Sequence, residues 1–88
     1  MRCEVIKLDQ RNWPNTRVLV QHLKKLLGIN RFDRRYYYRS KNYNTATLIN
    51  LEKSVKVIIH YRVVQHAHMD TMEIDEYISV IDVVVCRV

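Results

Sequence analysis

Thirteen residues, Arg31 to Tyr43, hold four of the chain's six tyrosines and five of its fifteen lysines and arginines. Cationic side chains attract phosphate, and interleaved aromatic rings can stack on unpaired bases. Read as a strand, this stretch sets Arg35, Tyr37, Arg39 and Lys41 in one row. Same-face neighbours would stand roughly 6.6–6.8 Å apart, close to the spacing of backbone phosphates. Phe32, Arg34, Tyr36 and Tyr38 take the other face, where Phe32, Tyr36 and Tyr38 are expected to pack in the core. Arg34, Arg35, Tyr37, Arg39, Lys41 and Tyr43 are therefore the candidate nucleic-acid contacts. Arg17, Lys24 and Lys25 would widen the patch if the preceding helix flanks it. The competing reading is a hairpin whose tyrosines pack inside and whose arginines are simply solvated.

Other chemistry-bearing residues are fewer. His66 and His68 fall on one side of an extended segment, and Asp70 continues the alternation. Two imidazoles and a carboxylate can ligate zinc, but a structural site needs a fourth protein ligand and none stands at a standard spacing. The segment reads as a polar loop, with no metal site. Asp70, Glu73, Asp75 and Glu76 lack the spacing and the glycine of a calcium loop, and read as a helix cap or as partners for basic residues. His60 could serve as a general base, with Arg34, Arg35 or Arg39 on the phosphate. No motif for a cofactor is present.

The net charge is +6, unevenly spread. Residues 1–30 carry +4, residues 31–43 carry +4, residues 44–68 carry +2 and residues 69–88 carry −4. The first half suits an anionic partner and the last twenty residues do not. Glu4, Lys7, Asp9 and Arg11 interrupt any early apolar run, so no signal peptide is expected. No apolar stretch approaches the ~20 residues that span a bilayer, so no membrane partner is expected. A cytoplasmic chain with two reduced, buried thiols at Cys3 and Cys86 follows from this reading. Antiparallel pairing of the first and last strands would instead bring the two cysteines close enough to join.

The elements that would position these groups form a single domain, residues 1–88. Residues 2–8 read as a strand. An amphipathic helix spans 14–27, with Pro14 in its first turn, Asn12 as cap and Gly28 as a left-handed terminator. Val20, Leu23 and Leu27 recur on its inner side, with Leu19, Leu23 and Leu26 as an adjoining row. A hairpin pairs 34–40 with 45–51 around Asn42 and Asn44. Residues 55–65 form the strongest strand, with Val55, Val57, Ile59, Tyr61 and Val63 on its apolar face. A short helix or turn occupies 70–76, and 77–88 close as a strand with Ile78, Val80, Val84, Cys86 and Val88 on one face, interrupted by Asp82, and Ile81, Val83 and Val85 on the other.

The order predicts an α+β fold, a largely antiparallel sheet of about five strands with one main helix on one face. A ferredoxin-like arrangement is compatible with it. A core this small favours a homodimer. The expected function is non-enzymatic, largely sequence-independent binding of DNA or RNA. The runner-up is a protein-interaction or inhibitor module docking on an acidic protein surface, and the third reading is a small ribonuclease.

Overall fold

The β-branched run that begins at Val55 forms the spine of the structure, a computed structural model describing residues 1–88. Six strands, β1 (Arg2–Ile6), β2 (Asn12–Trp13), β3 (Arg34–Arg39), β4 (Asn44–Asn50), β5 (Val55–His68) and β6 (Glu73–Arg87), make one sheet. Every pairing is antiparallel, in the order β1-β6-β5-β4-β3, with β2 also on β6. The fold is thus the expected α+β type, with one strand more than expected. A ferredoxin-like arrangement would need two helices. Here there is one, and residues 69–72 form the turn of a hairpin.

The helix α1 (Thr16–Leu27) covers one sheet face. Its cap is Asn15, whose side-chain oxygen accepts from the Val18 N–H at 2.9 Å, so Pro14 precedes the helix and Asn12 belongs to β2. Gly28 closes it at φ 67°, and the Ile29 N–H reaches back to the Lys24 carbonyl at 2.9 Å. Leu19, Val20 and Leu23 are buried against Ala46, Leu48, Val57, Ile59, Val83 and Val85. Such a Leu or Val side chain contributes roughly 1.5–3 kcal/mol when fully buried. Leu26, expected in the inner row, is exposed. The one buried polar residue, Asn50, donates to the Arg31 carbonyl at 2.8 Å and accepts from the Lys53 N–H at 2.7 Å. Its amide ties the segment after α1 to the β4–β5 turn.

Registered pairs share a face, so rows can be read across the sheet. On the helix side run Arg35–Leu48–Val57–Val85, then Tyr37–Ala46–Ile59–Val83, then Arg39–Asn44–Tyr61–Val80. On the open side run Arg34–Ile49–Lys56–Cys86–Cys3, then Tyr36–Thr47–Ile58–Val84–Val5, then Tyr38–Thr45–His60–Asp82. A β-bulge sets His60 opposite Asp82 and Tyr61 opposite Val80, leaving Ile81 unpaired. The expected faces of β6 are therefore corrected. Ile78 and Val80 share the helix side with Val83 and Val85, while Val84 and Cys86 lie on the open side.

Two further expectations change. Cys3 and Cys86, directly paired between β1 and β6, are joined by a disulfide rather than held as free thiols. The β5–β6 hairpin also runs past its neighbours. β4 ends opposite Tyr61 and β2 opposite Ile78 and Ser79, so residues 63–77 project as a two-stranded arm. The arm draws the molecule out to 50 × 26 × 22 Å. No helix is long and apolar enough to cross a membrane.

Candidate nucleic-acid interface

Strand β3 is a sheet edge, and each of its six residues is exposed. Phe32 is buried as expected, but Tyr36 and Tyr38 are not core residues, with exposures of 54% and 70%. The reason is positional. Both point to the open side of the sheet, which no helix covers, and no further strand lies beyond β3. Tyr37, on the helix side, is equally open at 54%. Arginines alternate with these rings on both faces, Arg34 with Tyr36 and Tyr38, and Arg35 and Arg39 around Tyr37. Arg35, Tyr37 and Arg39 of the expected row stand together on the helix side, but β3 ends at Arg39, so Lys41 falls in the following turn and not in the row; Arg34, Tyr36 and Tyr38 form a second row on the other face.

The turn after β3 builds the adjoining cavity. The Ser40 N–H donates to the Tyr43 carbonyl at 3.0 Å, and the Ser40 hydroxyl donates to the same carbonyl at 2.5 Å. Arg62, at the base of the arm, donates from Nε to the Asn42 carbonyl at 3.2 Å. The resulting cavity of about 620 Å³ is lined by Arg39, Lys41, Tyr43 and Arg62, with Gln65 and Glu76 on its arm side. Three cations face one carboxylate there. Arg62 was not anticipated from the sequence, because only the strand register brings it beside a turn twenty residues away. Arg17, Lys24 and Lys25 do not border this cavity; Lys24 and Lys25 line a separate one at the C-terminal end of α1.

Tyr61 lies in the Arg39 row, two strands in from the sheet edge. Burial pushes its hydroxyl above the ordinary value of 10.0, Tyr37 adds to the rise and Arg39 opposes it. A raised folded value leaves this contribution intact below the unfolded pKa and removes it as pH climbs through the folded one. Alkaline titration followed by tyrosinate absorbance should show a late step displaced above the ordinary tyrosine range. Tyr61→Phe should delete that step; a late step that survives the substitution would assign it elsewhere.

His60 sits on the open side, its Nδ1 2.6 Å from Asp82 Oδ1 and its ring edge-on to Tyr43 at 5.4 Å. Arg35 and Arg39, expected as its phosphate partners, lie on the opposite face. Arg34 shares its face but stands two rows away. The constellation expected for a general base is therefore not gathered around His60. His66 and His68 meet edge-to-face with ring centres 5.0 Å apart, and His68 Nε2 lies 2.5 Å from Asp75 Oδ2. No group of three or more His, Cys, Asp or Glu side chains could hold a metal. No family model, no curated protein and no solved structure matches this chain.

Proposed function

We propose that the protein binds single-stranded nucleic acid along β3 and the adjoining turn. The observation that carries the reading is the exposure of Tyr36, Tyr37 and Tyr38 between Arg34, Arg35 and Arg39 on a free sheet edge. Packing does not account for three open rings in a row, whereas stacking on unpaired bases would use them. Arg35, Arg39, Lys41 and Arg62 neutralise phosphates along the strand and in the cavity, and Tyr37 and Tyr43 take bases. Hydrogen bonds to base edges are not required, so binding is largely independent of base sequence.

The experiment is a salt titration of a fluorescent oligonucleotide, single-stranded RNA and DNA in parallel, followed by anisotropy. The logarithm of affinity should fall linearly with the logarithm of salt, by about 0.7 for each phosphate neutralised. Absence of binding at low salt, or a flat salt response, would remove the proposal.

A further inference from the structure

The projecting arm is a feature that the nucleic-acid reading neither requires nor explains. An isolated two-stranded ribbon is marginal in water, and this one exposes Val63, Ile74, Met69 and Met72, with Ile74 open at 66% and both methionines at 89%. Its charges are polarised along its length. Arg39, Lys41 and Arg62 gather at the base, and Asp70, Glu73 and Asp75 at the tip. Its apolar residues follow the same axis, with Val63 near the base and Ile74 near the tip on one face, as the pairs Val63–Ile78 and Ala67–Ile74 show.

A ribbon with a cationic base and an anionic tip is self-complementary when two copies lie antiparallel. A two-fold axis then repeats every contact, so each tip meets the other copy's base. We infer that the arm is a homodimerisation element. The turn of each copy, which carries Asp70, reaches the Arg39–Lys41–Arg62 cavity of the other, and Ile74 of each covers Val63 of the other; Glu73 and Asp75, registered with His68 and His66 on the opposite face of the ribbon, add to the negative field of the tip without touching the cavity. Parallel arms would set like charges together at both ends, which disfavours that arrangement. Within the cavity Glu76 is drawn toward Gln65, whose Nε2 donates to its Oε2 at 3.4 Å, so the cations keep the excess. The second copy thereby occupies part of the surface assigned above to nucleic acid.

Sedimentation velocity on nucleic-acid-free protein tests this. Wild type should form a dimer at low ionic strength, and its dissociation constant should rise by about tenfold or more in high salt. Arg39→Glu with Lys41→Glu, and separately Asp70→Lys with Glu73→Lys and Asp75→Lys, should each abolish dimerisation while keeping the wild-type circular dichroism spectrum. Mixed one to one, the two variants should form a heterodimer, because both contacts regain opposite charges. Wild type that stays monomeric at every concentration and salt, or folded variants that fail to associate on mixing, would overturn the inference. If a reversed variant does not fold, Asp70→Asn with Glu73→Gln and Asp75→Asn takes its place; an unweakened dimer in that variant also counts against it. The oligonucleotide titration is read on its own, so failure of one reading leaves the other standing.

Discussion

Cys3→Ser is expected to destabilise the fold by about 2–5 kcal/mol, the usual cost of removing a native disulfide from a small domain. The bond closes a loop of almost the whole chain, with 83 residues of sequence separation between its ends. Cross-linking positions so far apart removes much of the unfolded chain's freedom, and the stabilisation grows with loop length. For a domain of this size each kcal/mol moves the melting temperature by about 4–8 °C, so the drop should be on the order of 10–40 °C. Thermal denaturation with and without reductant checks it. Reduction of wild type should reproduce most of the Cys3→Ser shift, and the substituted protein should be indifferent to reductant. A wild-type melt that reductant leaves unchanged would show that the two sulfurs are not joined in solution. The same bond bears on where the chain resides. Cytosolic reductants keep thiols reduced, so the mass of the non-reduced protein from cells, lighter by two hydrogens when joined, separates a cytoplasmic setting from an oxidising one.

The second large effect falls on the proposed interface. Replacing Arg35, Arg39 and Lys41 together with alanine should lower the salt slope by about 2 and weaken oligonucleotide binding by about 100-fold near 0.1 M salt. All three are exposed and none joins the core, so the melting temperature should stay close to wild type. Tyr37→Ala and Tyr43→Ala should each cost about 1–3 kcal/mol of affinity while leaving the slope almost unchanged, since stacking releases no counterions. A triple variant that binds as tightly as wild type, with the same slope, would move the phosphate contacts elsewhere. Loss of slope in the tyrosine variants would mean that their rings act through the neighbouring arginines.

How far these features were legible depends on whether they are local. The helix could be read from the spacing of Val20, Leu23 and Leu27, and its end from Gly28, because both signals lie within a few residues. The cap was misplaced by three residues, since Asn12 and Asn15 are equally suitable by type and only the β2–β6 pairing decides between them. The hairpin of β3 and β4 follows its turn residues closely. The burial of its tyrosines does not, because alternation tells which rings share a face and not whether anything covers that face. Alternation alone therefore assigns Tyr36 and Tyr38 to the core, and the structure leaves both open. Val63 shows the same limit at the far end of a strand. It continues the apolar face of Val55, Val57, Ile59 and Tyr61, yet it is exposed, because β4 has already ended. The rows of β6 resisted a clean reading because one residue shifts the phase midway.

That residue has a consequence for how the chain tolerates a change in length. In a regular strand the loss of one residue turns every later side chain to the opposite face, which in a strand covered on one side is ruinous. Ile81 is the exception, since it pairs with nothing and its neighbours Val80 and Asp82 already oppose the consecutive residues Tyr61 and His60. Excising it would leave each registered pair of β5 and β6 in place and both faces in phase, with only the local kink and extra twist of the ladder lost. Loss of Val83 or Val85, a few positions on, would displace the ladder. A strand fifteen residues long thus contains one site where its length can change without altering its partners.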